Sequence, residues 1–278
     1  MKRALAILLA ILTVCSLTAC AKDTQPGAPT AVVSPDEPAP DDDWAYIKGN
    51  GKLIIGITEY EPMNYYDADG KLTGFDTEFA EKVCANLGVT PEFTIINWDT
   101  KEIELASKKI DCIWNGLTVT EERKANIAFT QSYLMNEQVV IIRAADSDKY
   151  KDAGSLSGKT VVAEAESAGE TAIMAGLSDS DYVAVAAQSS ALLEVKSGTA
   201  EAAVIDLTMA NAMTGSGSEY SDLMIVKSIK MQPEEYAIGF RIGSNAVEKL
   251  NEAISKLMKD GFMTSIANKY DLADLLIK

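Results

Sequence analysis

The sequence predicts an α/β protein of two lobes, each a mainly parallel sheet flanked by helices. Three observations carry this. From Trp44 onward, short apolar β-rich runs alternate with helical stretches, the pattern of parallel sheets covered on both faces. A second series of the same kind begins near Gly158. About 230 residues follow the amino-terminal segments, enough for one large domain or two small ones.

In the first series, residues 52–58 read as a strand and Asp67-Ala68-Asp69-Gly70 as a turn. Asp76 suits the cap of a helix that carries Phe79, Val83, Cys84 and Leu87 on one face, with Gly88 at its end. A strand follows at 93–96. Asp99 with Glu102 three residues later has the spacing of a capping box. Residues 110–114 form a strand, and Thr120-Glu121-Glu122 opens a short helix. The second series reads as strand 160–165, helix 169–176, strand 183–187, helix 190–196, strand 202–205 and helix 207–213. Strands at 223–228 and 236–241 precede carboxy-terminal helices at 246–259 and 263–270.

The amino terminus gives an address. Lys2 and Arg3 precede an apolar run over 4–14, too short to span a bilayer comfortably. Leu17-Thr18-Ala19-Cys20 then resembles a bacterial lipobox, which implies a signal peptide over 1–20 and a lipid on Cys20. Residues 21–44 are rich in proline and aspartate and read as a disordered tether.

Composition removes several functions. The net charge of -16 makes nucleic acid and anionic headgroups poor partners. The absence of histidine excludes histidine acid–base work, Ser-His and Cys-His pairs, and histidine metal ligands. Of four cysteines, Cys15 leaves with the signal peptide and Cys20 is acylated. Cys84 and Cys112 either pair in an oxidising compartment or stay as buried thiols.

Open parallel sheets bind ligands beyond the carboxyl ends of their strands. The polar residues there are Glu59 and Tyr60; Asn115, Gly116 and Thr118; Ser167, Ala168 and Gly169; and Asp206, with Arg123 just beyond the second group. Arg123 is a fork of donors suited to a carboxylate. The turn at Ser167 precedes a helix whose free N–H groups favour an anion. Asp206 suits an ammonium, assisted by the Gly116 carbonyl and the Thr118 hydroxyl. A carboxylate site beside an ammonium site describes an α-amino acid. Tyr60 and Trp98 stand near the same strand ends as walls for its side chain, while Trp114 reads as core. Taken singly, Arg123 reads equally as a surface arginine and Asp206 as a helix cap; joint placement carries the reading.

Three segments resemble a known family: Gly74-Phe75-Asp76-Thr77-Glu78-Phe79-Ala80, the run from Ile110 through Gly116-Leu117-Thr118-Val119-Thr120-Glu121-Glu122-Arg123, and Ala128-Phe129-Thr130-Gln131-Ser132-Tyr133. With Asp260-Gly261, they look like the polar amino-acid substrate-binding proteins of ABC importers. The resemblance implies a bilobed periplasmic-binding-protein fold that closes about two crossings, near 136–139 and 231–235. Lobe 1 would comprise 45–137 and 234–278, and lobe 2 would comprise 138–233. It implies that Arg123 clamps the ligand carboxylate, with Thr118, Gly116 and the Ala168 N–H assisting. Asp206 would take the ammonium and Tyr60 would cover the side chain. It further implies a monomer without cofactor or catalytic activity, delivering an amino acid to a membrane permease. Two departures stand out: Glu166 replaces a usual glycine, and Ala168 replaces a usual hydroxyl residue. A dehydratase-type enzyme on this scaffold would need Glu59 and Glu166 as its acid–base pair, and a sensor subunit would share the site.

The lipobox makes one prediction of its own. A diacylglyceryl anchor on Cys20 holds firmly where a single chain is marginal. Cys20→Ser should move the protein from the membrane to the soluble fraction, and retention of that variant would contradict the anchor.

Overall fold

The computed structural model describes residues 42–215 and 217–278. Cys20, the signal segment and residues 21–41 lie outside the described residues. The first sheet runs, edge to edge, through Thr90–Ile95, Lys52–Ile57, Cys112–Ile113, Gly239–Arg241 and Ile127–Phe129. The second runs through Leu223–Ile225, Leu134–Arg143, Ala202–Asp206, Thr160–Glu164 and Asp181–Val185. Each is parallel except for one strand opposed to its neighbours, Gly239–Arg241 in the first and Leu134–Arg143 in the second. These are the strands by which the chain enters each sheet from the other. Lys52–Ile57 and Ala202–Asp206 lie inside their sheets and are apolar and largely buried, as strands covered on both faces must be.

Two crossings join the lobes as an antiparallel ribbon. The first half of Leu134–Arg143 pairs with Pro233–Tyr236, Glu234 standing opposite Asn136. Leu134–Arg143 is a ten-residue strand where the sequence pattern implied only a crossing. The expected strand at 236–241 is two strands, Pro233–Tyr236 on the ribbon and Gly239–Arg241 in the first sheet. Ala237 and Ile238 make the step between them.

Three capping expectations are corrected. Gly74 precedes the helix Phe75–Leu87, so Asp76 falls in its first turn. There the buried carboxylate accepts from the Gly116 N–H at 2.7 Å and the Tyr133 hydroxyl at 2.9 Å. Asp99 lies in the 3-10 turn Trp98–Thr100 and does not cap Lys101–Ala106. Asp206 precedes Leu207–Met213 without capping it, because three amides hold its carboxylate. Gly88 does end its helix in the left-handed conformation.

The last residues of the expected tether are also part of the fold. A helix covers Asp43–Asn50, and Asp43 is buried against Arg241 at 3.0 Å. Arg241 also meets Asp111 at 3.3 Å and donates to the Ile110 carbonyl at 2.7 Å. This cluster fastens the amino-terminal helix to the first sheet. Under the helix Phe75–Leu87, Phe79 packs edge-on against the fully buried Trp114 at 4.9 Å, so Trp114 is core.

The two fold cysteines are separate buried thiols, not a disulfide. Cys84 lies on the buried face of its helix and Cys112 inside the first sheet, where both act as small apolar side chains. Burial pushes the Cys84 thiol up to about 12 and that of Cys112 well above its usual range, so neither is a ready nucleophile. Maleimide labelling of a chain beginning at Ala21 should find no reactive thiol in the folded protein and two after unfolding without reductant. No thiols after unfolding would restore the disulfide.

Candidate functional site

The strand ends of both sheets converge beside the crossing ribbon. Asp206 ends Ala202–Asp206 and is 6% exposed. Its Oδ1 accepts from Asn136 Nδ2 at 2.6 Å and Gln138 Nε2 at 2.7 Å, and its Oδ2 from Gln188 Nε2. The same two ribbon amides donate to Glu234 Oε1 at 2.6 and 2.9 Å, and the Thr118 hydroxyl joins them at 2.9 Å. Two carboxylates thus share one pair of amides. Three donors on Asp206 leave about one of its four lone-pair sites for a further donor.

Arg123 opens a 3-10 turn, Arg123–Ala125, whose first N–H is taken by the Thr120 hydroxyl at 3.1 Å. The guanidinium is buried without a carboxylate partner among the described residues. It donates to the Thr118 carbonyl on its own side at 2.9 Å and to the Glu166 carbonyl of the other sheet's loop at 3.0 Å. Lys101, 3% exposed, donates to that same Glu166 carbonyl at 3.0 Å and to the Trp98 carbonyl at 3.1 Å. Trp98 lies beneath both cations, 4.9 Å from Lys101 Nζ and 6.0 Å from the guanidinium carbon. Its own Nε1 finds no acceptor among the described groups.

Glu166 adopts φ +58°, a left-handed conformation that suits the glycine the resemblance implies at this position. Its side chain is exposed, so its carbonyl, not its carboxylate, meets the cations. Ser167 follows as N-cap of Ala168–Gly176, accepting from the Glu170 N–H at 3.2 Å. Ala168 starts the helix and lines a cavity of about 420 Å³ with Gln138 and Glu234. A second cavity of about 570 Å³ lies against Lys101, Arg123, Ser167 and Asp99.

Tyr60 is buried, its hydroxyl 2.5 Å from Thr208 of the second lobe and 2.7 Å from Tyr236 on the ribbon. Gly116 sits at φ +58°, and a Cβ there would come within 2.7 Å of the Tyr60 ring, so only glycine fits. Asn115 is an internal brace: it accepts from Thr58 N and Oγ1 at 3.1 and 2.7 Å and donates to Thr58 O and Asn64 Oδ1. Glu59 is exposed, and so is Glu166. Of the expected site residues, Arg123 and Ser167 line the second cavity and Ala168 the first, Trp98 lies beneath Arg123, and Tyr60, Thr118 and Asp206 are hydrogen-bonded to the ribbon residues Tyr236, Glu234, Asn136 and Gln138. The structure spends Asn115 on the scaffold and leaves Glu59 exposed.

Sequence reasoning missed Lys101, Asn136, Gln138, Glu164, Gln188, Thr208 and Glu234. Asn136 and Gln138 are two apart on one strand, so both face the same side; that alternation inside an expected crossing was a readable signal. Burial pushes the Glu164 carboxyl up to about 8, the Asp206 charge adding to the effect. Glu234 is raised for the same two reasons. Burial, with the Arg123 charge beside it, holds Lys101 down to about 8.

The chain belongs to the bacterial extracellular solute-binding proteins, family 3, whose model matches residues 53–273. It is 29% identical to the L-cystine-binding protein TcyA of Bacillus subtilis over 275 residues, 97% of each chain. The arginine-binding extracellular protein ArtP of the same organism is 27% identical over 80% of this chain and 87% of its own. Among solved structures, an ABC uptake transporter substrate binding protein from Streptococcus pneumoniae with bound histidine superposes with a TM-score of 0.79 at 31% identity, over 86% of this chain and 100% of the other.

The raised carboxyls set the pH dependence of stability. Asp76, lifted by burial to about 7, and Glu164, at about 8, both titrate near 4 when unfolded. Between those values the folded state holds more protons than the unfolded one, so stability falls as pH rises. Lys101 acts in the opposite sense only above about pH 8. The melting temperature should fall by more than about 4 °C from pH 5 to pH 8. A flat or rising profile would contradict these protonation states.

Proposed function

We propose that this protein captures one polar α-amino acid between its lobes outside the cytoplasm and delivers it to the permease of an ABC importer. In this reading Arg123, with the amino-terminal turn of Ala168–Gly176, takes the α-carboxylate. Asp206 takes the α-ammonium on its remaining lone-pair site. Tyr60 and Trp98 flank the side chain, and the lobes, 45–137 with 234–278 and 138–233, close about the ribbon. A lipid on Cys20 keeps the protein at the membrane.

The observation that carries the reading is the opposition of two buried groups. Arg123, at 7% exposure, and Asp206, at 6%, are linked through Thr118, Glu234 and Asn136 and form no ion pair with each other among the described residues. Buried opposite charges left unpaired are costly unless something joins them, and a zwitterion presents both counter-charges. The relatives support the class, since they are named for binding cystine, arginine and histidine. They also favour a binder over an enzyme, as does the exposure of Glu59 and Glu166.

Removing either partner leaves a buried charge on the ligand unmatched, about 2–5 kcal/mol, or roughly thirtyfold to several thousandfold in affinity. Arg123→Ala and Asp206→Ala should each abolish the thermal stabilisation given by the amino acid that stabilises wild type. Wild-type binding by both variants would show the site to be elsewhere. Recovery of the ligand unchanged after incubation separates binding from turnover.

A further inference from the structure

We propose that Glu234 is a second acceptor for the ligand's α-ammonium, and that the ammonium displaces a proton which Glu234 and Asp206 hold between them. This rests on the amino-acid reading above and assigns how the ammonium end is bound, whatever side chain the ligand carries.

Glu234 and Asp206 are tied by the same two amides. Asn136 Nδ2 lies 2.6 Å from Asp206 Oδ1 and 2.6 Å from Glu234 Oε1. Gln138 Nε2 lies 2.7 and 2.9 Å from the same two oxygens. A side-chain amide has two N–H groups, so each amide spends one on either carboxyl and has none left. The shared donors keep the two oxygens within about 5 Å of each other, a separation at which two carboxylates oppose each other's charge. One proton on the pair relieves that repulsion.

The proton has a place. Glu234 Oε1 accepts from Thr118, Asn136 and Gln138, whereas Oε2 accepts from no group among the described residues. Oε2 is not sealed from solvent, and Glu234 lines the cavity of about 420 Å³ with Gln138 and Ala168. Asp206, by contrast, has a donor on each oxygen. An α-ammonium brings three N–H donors, and Asp206 has room for about one of them. Glu234 Oε2 is the free carboxyl oxygen tied to Asp206, and it accepts another once its proton has gone.

The charges facing the pair agree with an exchange of this kind. Arg123 stands in the field of both carboxyls without forming an ion pair with either among the described residues. Glu164, beside Asp206, is itself held toward its neutral form by burial. Tyr60 and Tyr236 are phenols that burial keeps neutral, and Lys230, at the cavity wall, is exposed. Burial, and then the Asp206 charge, pushes the Glu234 carboxyl up to about 7. The Glu234 carboxylic acid gives its proton to water and the resulting carboxylate meets the ammonium, so one positive charge replaces another. The buried cluster then gains no uncompensated charge. Below about pH 7 the ligand-free protein holds the proton and the complex does not, so acid weakens binding.

The test uses the L-amino acid, among the genetically encoded ones and cystine, that raises the melting temperature of wild type most. Calorimetry in two buffers of different ionisation enthalpy, corrected for the ligand's own titration, should find about one proton released per ligand at pH 6 and far less at pH 8. Wild-type affinity should rise about tenfold from pH 5 to pH 6. Glu234→Gln keeps an acceptor for the three donors but cannot ionise. It should bind more weakly than wild type at pH 8, release no proton and lose the rise between pH 5 and pH 6. Release that persists in Glu234→Gln, or a variant profile parallel to that of wild type, overturns the proposal. So does the absence of release from wild type at pH 6, a measurement that needs no variant to fold. Stabilisation by no amino acid would overturn the amino-acid reading itself, and this assignment with it.

Discussion

The behaviour of the cleft depends on how Arg123 is kept. A guanidinium at 7% exposure with no ion-pair partner among the described residues is an expensive object. The fold offsets that cost with two carbonyls and an indole face, those of Thr118, Glu166 and Trp98. Only one of the three, the Glu166 carbonyl, belongs to the second lobe. The contact between lobes at this point is therefore a cation resting on a neutral acceptor, shared with Lys101. A carboxylate is the stronger acceptor for such a donor. An arriving ligand would complete the arrangement, strengthening closure rather than creating the site from nothing.

The opposite wall of the cleft is built into the hinge. Asn136 and Gln138 lie on the strand that crosses between lobes, and they hold both Asp206 of the second lobe and Glu234 of the return crossing. Tyr236, on that return strand, meets Tyr60, which in turn meets Thr208. Bending the ribbon would therefore move the Asp206 carboxylate, the group proposed to meet the ligand. In the proposed reading the hinge and the ammonium site form one hydrogen-bonded body, which would tie binding to closure without a separate relay.

Much of this was legible in the sequence because α/β alternation is a periodic signal. The helices Leu207–Met213 and Ala246–Lys259 stand where their patterns put them. Arg123, Thr118 and Asp206 stood out because each lies just past the carboxyl end of a strand. The misses have physical causes. Asp76, Asp99 and Asp206 have the composition of helix caps, but tertiary partners outcompeted the local ones for two of them: Gly116 and Tyr133 for Asp76, and three amides for Asp206. Asp43 reads as part of an acidic tail because its partner, Arg241, is 198 residues away. Asn115 sits at a strand end like a ligand residue, but its side chain is spent on Thr58 and Asn64. Lys101 and Glu164 are invisible to sequence because nothing local distinguishes a buried charge from a surface one.

In the proposed reading, ligand capture turns on the polarity of the site, a cationic side at Arg123 and an anionic side at Asp206. A crystal structure of the protein with its copurifying or added amino acid tests that polarity most directly. It should place the ligand carboxylate on the Arg123 guanidinium and its α-ammonium on Asp206, within hydrogen-bond distance of each. A ligand in the reverse orientation, or one touching neither residue, would contradict it.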